Sequence, residues 1–218
     1  MARHTPTRSV LLDAAQERFA VHGYTGTSIR DLARAAGIKE SSVYAHFPNK
    51  RAIFDAVLAR ARARIAETAR AYGAPLEDLD ASADTYSAMT AQRLEEVAFA
   101  FLELCVRDDA FVATRRILAL EQYRDTVASA QLRALIFDEP LAYQREIFER
   151  LIAAGTFAPA SPESVALAFW GPIHAIVSMV DGADAVEQPV LEKESRRLLR
   201  LHLAHFAATH LAHESSQQ

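Results

Sequence analysis

Apolar positions recur every three or four residues through most of the chain, a spacing that predicts helix after helix. In "TRSVLLDAAQERFAVHG", Leu11, Ala15 and Phe19 lie four residues apart with Ala14 beside them, one apolar face of a helix. Thr7 suits its N-cap, and Gly23 suits the left-handed residue after its last turn. A second helix is expected to start at Thr27 or Ser28, with Asp31 in its first turn and Ile29, Leu32, Ala33 and Ala36 inward. Gly37 ends it, and Ile38 is a lone apolar residue in a tight turn. A third helix is expected from Lys39 to about Phe47. Stepping 100° per residue from an inward Val43 puts Phe47 beside it, Ser41 and Ala45 opposite, and Ser42 and Tyr44 on the flanks. Two short helices joined by a glycine turn form a helix-turn-helix. The second helix of such a motif enters the major groove of DNA, and small outward residues permit close approach.

Beyond Lys50 the period of 3.6 continues. A long helix is expected over 49–72, with Ile53, Phe54, Val57, Leu58 and Ile65 inward and Gly73 and Pro75 as stops. A polar connection or a short helix, "LEDLDASAD", follows. Further helices are expected near 85–107, 110–122, 125–137 and 140–153. After "AAGTFAPASPES", Ser161-Pro162 opens a helix that is apolar on nearly all sides as far as Val180 and contains Pro172. The last helix, about 189–212, carries Leu191, Leu198, Leu199, Leu203 and Phe206 on one stripe. The expected fold is all-α, with about nine helices. Residues 1–48 are expected to form a three-helix DNA-binding head, and residues 49–218 a larger helical body.

Charge adds one feature. The net charge is −4, but residues 1–64 hold 11 Lys and Arg against 5 Asp and Glu, a net of +6. Residues 65–218 hold 13 against 23, a net of −10. A basic head on an acidic body suits a polyanionic partner for the head. Tyr44, His46 and Lys50 cluster at the far end of the third helix, and each can donate to phosphate oxygens. Thr27 and Ser28, at the start of the second helix, offer hydroxyls and backbone N–H groups to another phosphate.

The sequence carries little that speaks for catalysis. It has no Gly-rich phosphate loop, no Gly-x-Ser-x-Gly and no His-Glu-x-x-His. Cys105 is the sole cysteine, so no disulfide within the chain and no CxxC metal pair can form; it reads as a buried thiol. No enzyme activity, metal or cofactor is expected. His202 and His205 are a turn apart but lack a matching carboxylate or thiol. The longest apolar run, Val165 to Val180, is short of the roughly 20 residues that span a bilayer, and the N-terminus lacks a signal-peptide core. A cytoplasmic protein without a membrane partner is expected.

The head resembles a known family. "LLDAAQERFAVHGYTGTSIRDLARAAGIKESSVYAHFPNKRAIF" is similar to the DNA-binding domain of the tetracycline-repressor (TetR) family of bacterial regulators. The shared pattern is apolar-x-x-Ala-Ala to Phe and Gly, then Thr-Ser, Ile-x-x-Leu-Ala-x-x-Ala-Gly-Ile and Val-Tyr-x-His-Phe-x-x-Lys. The resemblance implies phosphate contacts for Thr27, Tyr44, His46 and Lys50. It places Ser41 and Ser42 where bases are approached. Lys39 departs from the Ser or Thr common at that N-cap, since an ammonium accepts no hydrogen bond. Either Ser41 caps a later start, or Lys39 reaches toward the groove.

The family also implies a homodimer on a pseudo-palindromic operator, paired through the last two helices. The residues expected there are Trp170, Ile173, Val177, Leu191, Leu198, Leu199, His202, Leu203, Phe206 and His210. It further implies a small-molecule effector of unspecified identity. Candidate lining residues are Tyr86, Phe99, Phe101, Cys105, Tyr123, Trp170, His174 and Met179, although core packing accounts for each singly. Two alternatives stand beside an effector-responsive repressor: a nucleoid-type helical DNA-binding dimer without effector control, and an all-α enzyme.

Overall fold

A computed structural model describes residues 7–71, 89–181, 183 and 186–212. Among them the fold is helical, with one isolated antiparallel bridge between Phe157 and Leu211. The helices are α1 (Thr7–His22), α2 (Ile29–Ala35), α3 (Glu40–Tyr44), α4 (Lys50–Ala71), α5 (Ala91–Arg107), α6 (Asp109–Glu121), α7 (Thr126–Arg133), α8 (Glu139–Ala153), α9 (Pro162–Asp181) and α10 (Gln188–His210). A single π-helical turn, Ala134–Asp138, joins α7 to α8. The expected stop at Gly73 and Pro75, the polar connection after it and Tyr86 lie outside the described residues.

By contact, the chain divides into two units. One holds Met1–Ile65 with Asp108–Leu135, and the other holds Ala66–Arg107 with Ile136–Gln218. The N-terminal unit thus includes α6 and α7 as well as the three helices of the head. Its core is built on the predicted face of α1: Leu11, Ala15 and Phe19 are fully buried, as are Leu32, Val43, Ile53 and Val57. Each buried large apolar side chain stabilises the fold by about 1.5–3 kcal/mol relative to exposure. Phe19, Tyr24 and Phe54 form an aromatic triangle with centroids 5.0–5.9 Å apart. α6 packs along α1. Arg60 of α4 reaches Asp13 and Gln16 of α1, and Arg64 reaches Asp108 at the N-cap of α6.

In the second unit α9 packs on α8, α10 and α5. By length and composition α9 could cross a membrane; here Val165, Phe169, Ile173, Ile176, Val177 and Val180 are buried. The helix runs through Pro172. Phe148, Phe157, Phe169 and Phe206 form an aromatic centre, with Phe169 5.7 Å from Phe148 and 5.8 Å from Phe206. The Ala158 N–H donates to the His210 carbonyl at 2.7 Å, and the Ala212 N–H donates to that of Thr156 at 3.0 Å. These bonds tie the loop after α8 to the end of α10.

Candidate nucleic-acid interface

The α2–α3 pair is set by its caps. Ser28 caps α2 through a reciprocal box: its hydroxyl accepts the Asp31 N–H, and the Asp31 carboxylate accepts the Ser28 N–H at 3.0 Å. Hydrogen bonds from Ser28 hold the Asp31 carboxyl below its usual pKa. Gly37, at φ 67°, turns the chain left-handed, and the Ile38 N–H closes back on the Ala33 carbonyl at 3.0 Å. α3 begins at Glu40 with Lys39 as N-cap and no side-chain capping bond, so the later start capped by Ser41 does not occur. It ends at Tyr44, earlier than predicted. The N–H groups of His46 and Phe47 then bond the Val43 carbonyl, each at 2.9 Å. Val43 and Phe47 face the core, as the 100° stepping requires.

The outward residues follow from this frame. Lys39, Ser41, Tyr44 and His46 are exposed, and Ser42 is half-buried. Tyr44 is a large side chain that stands out, 53% exposed. Arg8, Arg30 and Arg34, which pattern reasoning passed over, are exposed on the same unit; Arg8 lies 4.9 Å over the Phe47 ring. The signal that could have found them is the count of basic residues in the head.

Three residues expected at phosphates hold bonds within the chain. The Thr27 side chain is buried, and its hydroxyl donates to the Gly23 carbonyl at 2.8 Å. The Ser28 hydroxyl and N–H both serve the capping box. Lys50 donates to the carbonyls of Tyr24 at 2.7 Å and Thr27 at 2.8 Å, and its ammonium lies 4.2 Å over the Tyr24 ring. Burial lowers the Lys50 pKa, with the Glu121 carboxylate pulling the other way. Burial raises that of Tyr24. These three residues build the loop that presents α2 and α3.

The residues expected at a two-fold interface divide. Trp170, Ile173, Val177, Leu199, Leu203 and Phe206 are buried in the core of their own unit. Leu191, His202 and His210 are half-buried, and Leu198 is exposed. The outward positions at helical spacing are Leu167, Ala175 and Met179 on α9 and Val190, Leu198 and Leu201 on α10, with Leu201 58% exposed. His202 is held by a 2.9 Å bond between its Nε2 and the Ala168 carbonyl.

The described candidate effector residues fall in both units. Tyr123 is 90% exposed in the N-terminal unit, and Met179 is exposed in the other. Phe99 lies under the guanidinium groups of Arg196 and Arg200. Phe101 meets the edge of Trp170, whose indole N–H donates to the Ile136 carbonyl at 2.7 Å. His174 packs at a tilt against Phe137, and Cys105 is buried. One cavity in the N-terminal unit is lined by Leu58, Arg62, Thr114, Leu118, Gln131 and Leu135; its room, about 10 Å³, fits a single water.

Residues 11–57 match the family model described as bacterial regulatory proteins, tetR family. The HTH-type transcriptional repressor ComR of Escherichia coli K12 is 47% identical over 53 residues, 24% of this chain and 25% of that protein. The HTH-type transcriptional repressor AcnR of Corynebacterium efficiens is 37% identical over 62 residues, 28% of this chain and 33% of that protein. The matched part therefore spans only a quarter to a third of these relatives. The whole fold is similar to solved structures. MexZ of Pseudomonas aeruginosa, a repressor, superposes with a TM-score of 0.67 at 22% identity, covering 92% of this chain and 94% of that one. A TetR-family regulator from Mesorhizobium loti superposes at 0.64 and 20% identity, over 97% and 100%. At such identities the likeness shows the fold.

Proposed function

We propose that this chain, a member of the TetR family of bacterial regulatory proteins, is a cytoplasmic transcription repressor that binds a pseudo-palindromic operator as a homodimer and responds to a small molecule. The observation that carries the reading is the outward face of α2 and α3. Lys39, Ser41, Tyr44 and His46 stand exposed along α3 and its two flanks, with Val43 and Phe47 buried behind them and Arg30 and Arg34 exposed on the same unit. Cationic and hydroxyl donors around a small-residue face suit phosphates at the rim and base edges at the centre. The curated relatives named as repressors support the sign of regulation. A second copy would dock on the outward apolar stripe of α9 and α10, giving two reading helices about one DNA turn apart.

The test is selection of bound duplexes from a random DNA pool by the purified protein at a stated salt concentration. Enrichment of a two-fold symmetric sequence supports the reading. No enrichment and no shift of any duplex overturns it. A sequence-independent binder, the nucleoid-type alternative, would shift every duplex equally.

A further inference from the structure

We propose that Glu121 is a positioning residue for DNA recognition: its buried carboxylate, carried on α6 outside the helix-turn-helix, fixes the loop that aims α2 and α3. This rests on the DNA-binding reading above. Glu121 ends α6, and only 4% of it is exposed. Both carboxylate oxygens serve one residue of the α1–α2 loop. Oε1 accepts the Thr25 backbone N–H at 3.1 Å, and Oε2 accepts the Thr25 hydroxyl at 2.8 Å. The loop is shaped around this group. Gly23 sits at φ 74°, and a Cβ there would fall 2.4 Å from Glu121 Oε1. A carboxylate is costly to bury, and two charge-assisted bonds to a single loop residue are what offset that cost.

The loop is gripped from its other side by the opposite charge. Lys50 donates to the carbonyls of Tyr24 and Thr27, on either side of Thr25 along the chain, and the Glu121 carboxylate acts on it electrostatically. Residues 23–27 are thus held by an anion that takes an N–H and by a cation that takes carbonyls. Ser28, the next residue, is the N-cap of α2. The direction in which α2 leaves the loop, and with it the placement of α3, depends on both grips. Without the Glu121 grip the loop samples several exits, and measured affinity falls in proportion to the competent fraction. Neither Glu121 nor the loop contact needs to touch DNA.

The test uses the full-length protein and the duplex enriched from the random pool. E121A removes both bonds and is expected to weaken binding by at least about tenfold, at a temperature where circular dichroism shows it fully folded. The slope of log affinity against log salt should match that of the unsubstituted protein, because no phosphate contact is lost. E121Q should recover most of the loss, since its amide can accept from the Thr25 N–H and donate to its hydroxyl. Hydrogen exchange at the Thr25 amide should quicken in E121A and stay slow in E121Q. A folded E121A that binds with unchanged affinity overturns the inference, as does a salt slope reduced by about one phosphate. If E121A is unfolded, T25A removes one of the two bonds and should weaken binding several-fold; no change overturns the proposal. If the unsubstituted protein enriches no duplex, the DNA-binding reading fails; slow Thr25 exchange that does not respond to E121A refutes the grip itself.

Discussion

The Lys50 ammonium donates to the Tyr24 carbonyl, 26 residues earlier, at 2.7 Å, and to the Thr27 carbonyl at 2.8 Å. A residue that sequence pattern assigns to a phosphate is therefore a bracket between α4 and the loop before α2. Lys50→Met keeps the stem and removes the donors. Losing bonds of this kind costs about 1.5–3 kcal/mol, so the melting temperature should fall by several degrees. Affinity should fall alike for all duplexes, with the salt slope kept. A slope reduced by about one, with unchanged melting, would return Lys50 to the phosphates.

The exposed set should behave differently. Lys39→Ala, if Lys39 meets a phosphate, should lower the salt slope by about one and weaken every sequence similarly. Ser41 projects from the open side of α3, opposite Val43, so Ser41 substitutions should reorder the preference among operator variants. Binding titrations over a panel of single-base variants check both; equal effects of Ser41 changes on every variant would remove it from base readout.

These contrasts show what the sequence could and could not deliver. The period of 3.6, Gly37 with Ile38, and the inward Val43 and Phe47 were legible because they are local: each follows from stepping around one helix or from one residue's backbone freedom. The partners of Thr27, Lys50 and Glu121 were not. A Thr before a helix and a Lys after a turn look the same whether they face solvent or a carbonyl, and Glu121 lies 96 residues from Thr25. The stripe read on α10 joined two faces, since Leu198 is exposed while Leu199 is buried, and an apolar pattern does not distinguish the core of one chain from a contact between two. Leu199, Leu203 and Phe206 went to the core, while Leu201, on the opposite side, stayed outside.

That division sets the interface prediction. Leu201→Glu places a charge on an already exposed position, so helical content and melting should hold. Sedimentation should then report monomers, and affinity for a duplex with two half-sites should fall by at least tenfold as the linked second contact is lost. Leu203→Glu instead places a charge at a buried position and should unfold the second unit, at a cost of several kcal/mol. An intact Leu201→Glu dimer would exclude this face.

His210 makes stability depend on pH. Its imidazole packs tilted against Phe206 with centroids 4.6 Å apart, and its pKa is lowered from 6.5, first by burial and then by the neighbouring His205 and His202. The unfolded chain protonates this group near pH 6.5, while the folded chain resists until lower pH. Between those values the unfolded state binds more protons, so stability rises with pH. The His210 contribution is complete above about pH 6.5 and is lost as pH falls through the folded value. Thermal melts from pH 7.5 down to 5 should therefore show a decline that is shallower in His210→Gln, which cannot take up the proton. Parallel curves for the two proteins would assign the acid sensitivity to other groups.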